Sequence, residues 1–190
     1  MPSMSVEELK ERLTRDVPGA LAPARVKIDH SHNGAGVEPK AEPPVKGKKH
    51  EEGPPDLLAT ADAVVLAERI PDVARYVRGS LSYELLSNLT AVDYLADGVI
   101  ELVYHFMHLA GGPPLVIKTR VPRERAVVPS ITSIWPGADL QEREAFDLYG
   151  VDFPGHPNLK RVYMWDEFEG YPMRKDFPKQ GDKYLGDGEE

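Results

Sequence analysis

Three segments with the residue types of β-strands, separated by two turn sequences, constrain the fold of this chain most. Residues 83–94 and 99–109 read as strands, and Asp97-Gly98 between them is typical of a tight hairpin turn. Gly111-Gly112-Pro113 turns the chain again before residues 115–121, in which mainly apolar residues on one face alternate with mainly polar residues on the other. We therefore expect three consecutive strands in one sheet, with one face buried and the other wet.

A short strand and a helix are predicted to precede these three strands. Residues 63–67 form an apolar run suited to a buried strand. Apolar residues then recur at helical spacing from Ile70 to Val77, with Pro71 in the first turn and Gly79 as the stop. The order is β-α-β-β-β followed by helices, so the predicted class is α+β: a small mixed sheet with helices packed mainly on one face.

Two further helices are expected after the last strand. Residues 129–135 are predicted to form a short helix that Pro136-Gly137 interrupts. Asp139 is expected to cap a second helix, with Glu142 at the capping-box position and Gly150 as the C-terminal stop. The charged residues of this second helix make it the candidate functional element.

Composition divides the chain into three parts. Residues 1–55 combine a short helix, which Ser5 is expected to cap, with a linker rich in Pro, Gly and charge. Residues 56–150 hold the α+β domain, and residues 151–190 are expected to be an extended, partner-binding tail with recurring prolines. Because residues 1–50 offer little apolar surface, their deletion is predicted to leave the melting temperature of the domain nearly unchanged.

The composition also excludes several functional classes. The 190-residue chain has no cysteine, which rules out a thiol nucleophile, a disulfide framework and a cysteine-ligated iron–sulfur cluster. Its formal net charge of −8 argues against a nucleic-acid partner, because phosphate backbones require a basic surface. No apolar run approaches the roughly 20 residues that span a bilayer, so membrane contact is expected only through partners. Nucleotide-binding and hydrolase motifs are missing as well.

The predicted last helix carries the densest group of charges. Asp139, Arg143 and Asp147 are four residues apart and share one face, so Arg143 is expected to pair with both carboxylates. We interpret this as an ion network that fixes the helix or meets a partner's arginines. If the network is partly buried, Arg143→Met is expected to cost about 3–5 kcal/mol. The alternative is a carboxylate dyad or metal site in which His156 joins Glu144 and Asp147.

The tail that follows contains two further groups of interest. In His156-Pro157 the proline holds the imidazole in one direction, which favours a hydrogen-bonding role over proton transfer. Arg174-Lys175-Asp176 could bind a phosphate or a cofactor acid, but inter-subunit ion pairs are the favoured interpretation. Six aromatic rings are expected to need a partner surface because the tail cannot bury them alone: Phe153, Tyr163, Trp165, Phe168, Tyr171 and Phe177.

The region from Glu142 to Pro178 resembles the signature region of the C subunit of NADH-quinone oxidoreductase, respiratory complex I. The matching residues are Glu142-Arg143-Glu144, Phe146-Asp147, Tyr149-Gly150-Val151, Phe153, Gly155-His156-Pro157, Leu159, Arg161, Glu169-Gly170, Pro172, Arg174-Lys175-Asp176 and Phe177-Pro178. Two residues depart from the pattern, since Tyr171 stands where a histidine is usual and Met173 where a leucine is usual. Weaker similarity extends back to residue 60.

This resemblance implies a scaffold within a larger complex. In that family the protein binds no cofactor and docks on the D subunit, which helps to form the quinone site, near cluster-bearing neighbours of the peripheral arm. FMN, iron–sulfur clusters, NADH and quinone are then expected on other subunits, and the complex at the cytoplasmic face of the inner or plasma membrane. Twelve residues are expected to serve a partner interface or a structural network: Asp139, Glu142, Arg143, Glu144, Asp147, Gly150, His156, Pro157, Arg161, Arg174, Lys175 and Asp176.

Two alternative functions remain open. An equivalent subunit of a ferredoxin-linked or membrane-bound hydrogenase-type relative would share this architecture, because the electron-input module lies on other polypeptides. A stand-alone carboxylate- and metal-dependent hydrolase belongs to a different class. It would require a divalent ion bound through Glu144, Asp147 and His156.

Overall fold

A computed structural model of the chain describes residues 4–23 and 61–178. The elements in chain order are α1 (Val6–Asp16), β1 (Ala63–Val65), α2 (Ile70–Gly79), β2 (Leu85–Tyr94), β3 (Val99–Met107), β4 (Leu115–Pro122) and α3 (Ala138–Tyr149). The order from β1 onward confirms the predicted α+β class. Most of the predicted linker, residues 24–55, and the predicted domain start at residue 56 lie outside the described residues. Residues 17–23 are described, and Val17 and Ala20 are buried in the core, so this part is not a solvated linker. Among the described helices, none has the length and apolar character needed to cross a bilayer.

The four strands form one mixed sheet in the order β1-β4-β3-β2. β1 runs parallel to β4, whereas β3 is antiparallel to both of its neighbours. A short 3-10 helix, Leu95–Asp97, and Gly98 connect β2 to β3, so the connection is longer than the predicted two-residue turn. Gly98 has a φ of 64°, a left-handed conformation that costs glycine little because it has no Cβ.

One face of the sheet carries the core, as the alternation in the last strand predicted. Four residues of β4 on that face are buried: Leu115, Ile117, Thr119 and Val121. The β3 residues opposite them are buried as well: Phe106, Tyr104, Leu102 and Ile100. A slip of one residue would exchange the two faces, so the apolar pattern fixes the register.

Helix α1 belongs to the core of the domain. The Glu8 N–H donates to Ser5 Oγ at 3.1 Å, which confirms Ser5 as the cap. Leu9 and Leu13 are 1% and 0% exposed and lie in the same apolar cluster as the sheet. The expectation that residues 1–50 contribute little apolar burial was therefore wrong, because leucines four residues apart give this short helix an apolar face.

The segment before α3 is a turn rather than the helix predicted over residues 129–135. Ile134 and Trp135 both donate their N–H groups to the carbonyl of Ile131, which closes a single tight turn. The next residue is a proline, whose ring disfavours helical conformation in the residue before it. The turn is held against α3 because the Ile131 N–H donates to the Glu142 side chain at 2.8 Å.

Both ends of α3 are set by glycines. The helix begins at Ala138 after Gly137, and no side chain caps it. Asp139 thus lies in the first turn rather than at the cap, and Glu142 is buried instead of closing a capping box. Gly150 ends the helix with a φ of 72°, as predicted.

Gly150→Ala is expected to lower the melting temperature markedly. The left-handed conformation costs a non-glycine residue about 1–2 kcal/mol, and an added Cβ would overlap the ring of Tyr171, which lies on Gly150. Gly137→Ala is the matched control, because its φ is −65° and nothing lies within 4 Å of the Cβ position. Thermal unfolding of both variants measures the difference. Equal melting temperatures would show that Tyr171 does not pack on the helix end.

Residues 151–178, here called the C-terminal segment, fold back onto the domain without forming a helix or a strand of their own. The segment begins beside residues 126–130, where the Val128 N–H donates to the Asp152 carbonyl at 2.9 Å. Phe153 is 1% exposed and part of the core. The expectation that this ring needs a partner surface was wrong, because the domain itself covers it.

Candidate partner-binding site

Asp147 of α3 fixes the C-terminal segment through both of its carboxylate oxygens. The residue is buried, and its Oδ2 accepts the backbone N–H groups of Val162, Tyr163 and Met164 at 2.9, 2.7 and 3.0 Å. Its Oδ1 accepts from Arg161 Nη1 at 2.7 Å. Successive N–H groups that converge on one oxygen form an anion-binding nest. One side chain therefore positions four consecutive residues.

The surroundings of Asp147 also set its protonation. Burial raises the pKa of this carboxyl, but hydrogen bonds from the Met164 N–H, the Arg161 guanidinium and the neighbouring amides outweigh burial and hold the pKa below the ordinary aspartate value. Because the folded-state pKa is lowered, Asp147 stabilises the fold above the pKa of an unfolded aspartate. That contribution is lost as the pH falls through the folded-state pKa.

Arg143 does not pair with Asp147, contrary to the sequence expectation. Its guanidinium donates instead to the carbonyls of Lys160 and Arg161 at 3.0 and 3.2 Å. The contact with Asp139 is a loose one, 3.8 Å from Nη1 to Oδ1. The predicted cost of Arg143→Met rested on leaving two carboxylates without a cation. Asp147 keeps Arg161 in that variant, so the prediction does not hold in that form.

Arg161 is the centre of a small cluster of rings within the segment. Its Nη2 donates to the Gly170 carbonyl at 3.1 Å, and its guanidinium carbon lies 5.7 and 5.8 Å from the ring centroids of Phe168 and Tyr171. Phe177 extends the cluster, 5.8 Å from Phe168 between centroids. These distances suit cation–π attraction and ring stacking. The segment therefore covers part of three rings that were expected to require a partner.

A second anchor ties the end of the segment to β2. Asp93 is 3% exposed and accepts from Arg123 Nε at 2.7 Å and from the Lys175 N–H at 2.8 Å. Arg123 also pairs with Asp176. The ion pair expected of Asp176 across a subunit interface is thus made within the chain. Sequence reasoning missed Asp93 and Arg123 as partners, because their separation from the tail gives no local signal.

The segment also caps the C-terminal end of α3. Arg174 Nε donates to the Tyr149 carbonyl at 2.7 Å, and the Met173 N–H donates to the Leu148 carbonyl at 3.1 Å. The last carbonyls of a helix lack partners inside the helix, and a cation is favourable beside them. The Arg174 guanidinium carbon also lies 4.7 Å from the Tyr171 ring centroid.

His156 is held by two hydrogen bonds within the chain. Its side chain is fully buried, and its Nδ1 accepts the Asn158 N–H at 3.0 Å. Nε2 therefore carries the proton and donates to the Asp139 carbonyl at 3.2 Å. Pro157 lies between His156 and Asn158 in sequence. These contacts are of the kind predicted for a histidine fixed by a turn.

The metal-site alternative loses its geometric basis. His156 lies against Asp139 and does not join Glu144 and Asp147, and both oxygens of Asp147 already accept N–H groups. Within residues 4–23 and 61–178, no three histidine, cysteine, aspartate or glutamate side chains are grouped so that they could hold a metal ion. The hydrolase hypothesis required those three residues to act together.

Glu142 holds the preceding turn against α3 from a fully buried position. Its Oε2 accepts from Ser130 Oγ at 2.6 Å and its Oε1 from the Ile131 N–H at 2.8 Å. Burial raises the pKa of Glu142, and these two hydrogen bonds oppose the rise only in part. Because the folded-state pKa is raised, the contribution of protonated Glu142 to the stability of the fold is complete below the pKa of an unfolded glutamate. It is lost as the pH rises through the folded-state pKa.

Glu142→Gln is expected to keep the fold and to reduce the pH dependence of stability in the pH range above the pKa of an unfolded glutamate, where the wild type loses stability because the pKa of Glu142 is raised. The amide oxygen still accepts the Ile131 N–H, and no charge is buried. Glu142→Ala leaves that N–H unpaired and is expected to cost about 1–3 kcal/mol or more. Melting temperatures across this pH range test both, with Glu144→Gln as the exposed control. Equal destabilisation by Gln and Ala at every pH would contradict the assigned hydrogen bond.

The fold and the site together define an α+β protein with a C-terminal segment anchored to its own domain by buried ion pairs. The family model for the 30 Kd subunit of respiratory-chain NADH dehydrogenase matches residues 63–183, from β1 through the C-terminal segment. That match spans more than half of the chain. The chain belongs to this family, and the resemblance seen in the sequence is confirmed.

Individual relatives agree with the family assignment. The NADH-quinone oxidoreductase C subunit of Moorella thermoacetica is 45% identical over 117 residues, covering 62% of this chain and 79% of that protein. The C subunit of Roseiflexus castenholzii is also 45% identical over 117 residues, covering 60% and 67%. A chain of the membrane-bound sulfane sulfur reductase, an archaeal respiratory membrane complex, has a similar structure. It superposes with a TM-score of 0.56 at 35% identity, covering 62% of this chain and 71% of that one.

Proposed function

We propose that this chain is a structural subunit of the peripheral arm of a proton-translocating NADH-quinone oxidoreductase. In this proposal it docks on the quinone-site D subunit and on cluster-bearing neighbours, and it supports electron transfer to quinone without a catalytic site of its own. The observation that carries the proposal is the family match over both the sheet and the C-terminal segment. The complex contacts the membrane through other subunits, at its cytoplasmic face.

The anchored C-terminal segment supports a scaffolding function. Electron transfer between redox centres requires that the subunits carrying them keep fixed distances. Asp147 and Asp93 attach the segment to α3 and β2 through buried ion pairs, which gives a rigid surface for neighbouring subunits. The chain has no cysteine to ligate a cluster. We therefore propose that the iron–sulfur clusters lie on other subunits, and that FMN, NADH and quinone bind there as well, as the family resemblance implies.

Affinity purification of the tagged full chain from its native membranes tests this function. The expected result is one large complex on a native gel that contains this chain and the quinone-site D subunit, with NADH:quinone activity in the same band. Deleting the gene should remove the complex. Migration of the chain by itself, with the complex intact in its absence, would contradict the proposal.

A related complex with another electron donor is the second candidate function. The structural similarity to a chain of the membrane-bound sulfane sulfur reductase favours it, since the two proteins share a fold at 35% identity. The electron-input subunits decide between the candidates, because they lie on other polypeptides. An NADH-binding flavoprotein in the purified complex supports the first candidate. Its replacement by a different input protein supports the second.

A further inference from the structure

Two large aromatic side chains of the C-terminal segment remain exposed after the segment has folded back. Tyr163 is 59% and Trp165 is 63% exposed, and Val162 beside them is 40% exposed. The other rings of the segment are buried or partly covered. Tryptophan and tyrosine are enriched among the residues that carry most of the binding energy at protein interfaces.

The backbone that presents these side chains is fixed in advance. The N–H groups of residues 162–164 are bound by Asp147. Trp165 is oriented by Phe168, whose N–H donates to the Trp165 carbonyl at 3.0 Å and whose ring lies edge-on at 4.9 Å between centroids. A surface that is already ordered loses little conformational entropy when a partner binds.

Exposed carboxylates flank the two aromatic side chains. They are Glu144, Asp166, Glu167 and Glu169. Across the described part of the chain, none of them lies within ion-pair distance of an arginine or lysine, whereas the nearby Arg161 is neutralised by Asp147. Glu144 accepts from the Tyr163 hydroxyl at 3.3 Å, so the acidic group and the aromatic group are in contact. Its charge raises the pKa of the Tyr163 phenol.

We propose that Tyr163 and Trp165, together with these carboxylates, form a docking surface for an arginine-bearing surface of a partner protein. The inference rests on the proposed function and names the partner chemistry of the same C-terminal segment. A guanidinium stacks well on an indole ring and binds a carboxylate through two parallel hydrogen bonds. Arginine satisfies both groups at once, which a lysine ammonium does less well.

The charge of this surface selects against other occupants. Anionic lipid headgroups and nucleic acid are repelled by four carboxylates without cations. A second copy of this chain in a symmetric dimer would place the same acidic surfaces against each other. A different chain with a basic surface is the occupant that the charges favour, and its binding should weaken with added salt.

Site-specific photo-cross-linking in the assembled complex tests the location of the surface. Trp165→p-benzoylphenylalanine is expected to cross-link to a neighbouring subunit on a peptide that contains arginine. Leu109→p-benzoylphenylalanine is the control, because Leu109 is 75% exposed and lies outside the segment. Cross-links to lipid, to a second copy of this chain, or to nothing at all would each overturn the inference.

Charge reversal tests the chemistry of the surface. The triple variant Asp166→Lys, Glu167→Lys and Glu169→Lys is expected to reduce the fraction of chain found in the complex about tenfold relative to wild type. The matched control reverses three exposed, unpaired carboxylates elsewhere, Glu7, Glu11 and Glu68, and should assemble normally. Equal assembly of the two variants overturns the inference and leaves the proposed function intact. Absence of the wild-type chain from any complex overturns the proposed function instead.

Discussion

Asp147→Ala is expected to release the C-terminal segment from α3 and to abolish assembly of the complex. The substitution leaves Arg161 without its carboxylate and three N–H groups without their acceptor. Removing one partner of a buried ion pair typically costs about 3–5 kcal/mol. That cost is a large fraction of the stability of a typical domain. The contacts that are lost hold the C-terminal segment on α3, and the chain is proposed to dock through this segment.

Limited proteolysis of the purified full chain measures this effect directly. Cleavage within residues 160–170 should accelerate strongly in Asp147→Ala and stay slow in Asp152→Ala, which removes an exposed carboxylate.

Adding Arg161→Met to Asp147→Ala should restore part of the melting temperature, because no guanidinium without a carboxylate counter-ion remains. Since the pKa of Asp147 is lowered, the wild-type segment should also become cleavable as the medium is acidified. Unchanged cleavage in Asp147→Ala would disprove the anchor.

Leu13→Ala in α1 is expected to destabilise the domain nearly as much. Leu13 is 0% exposed and packs in the core cluster, and truncation of a buried leucine to alanine costs about 2–5 kcal/mol. Leu9→Ala should have a similar cost, and deletion of residues 1–22 should exceed both. The melting temperature of each purified variant provides the measurement.

Glu11→Ala is the matched control for the leucine substitutions, since Glu11 is exposed on the same helix. Its melting temperature should stay close to that of wild type, because surface substitutions rarely change stability by more than about 0.5 kcal/mol. If Leu13→Ala behaved like Glu11→Ala, α1 would not be part of the domain core. The expectation from composition would then be restored.

The elements that the sequence predicted correctly are those with a local signal. The alternation of β4, from which Val116 and Thr119 depart, and the helical spacing of α2 each involve residues within one element. Gly150 also has a local effect, since it provides the left-handed conformation that ends α3. The short helix predicted over residues 129–135 is limited to a single turn that ends at Trp135, because Pro136 disfavours helical conformation in the residue before it.

The site was harder to predict because its contacts join distant residues. Helical spacing placed Arg143 beside Asp147, but it could not show that Arg161, fourteen residues further on, takes that carboxylate. Lys175 and Asp93 are 82 residues apart, so no pattern in either segment indicates their contact. The sequence correctly selected the charged residues of the region, while their pairing depended on the path of the chain.

Asp147 holds the C-terminal segment in place independently of the side chains that the segment carries at residues 162–164. The groups that Asp147 binds at Val162, Tyr163 and Met164 are backbone amides, which every residue except proline possesses. Side chains at these three positions can therefore be exchanged during evolution while the segment keeps its place on α3. A lineage in which a neighbouring protein alters its surface can follow that change here, one side chain at a time, without rebuilding the fold.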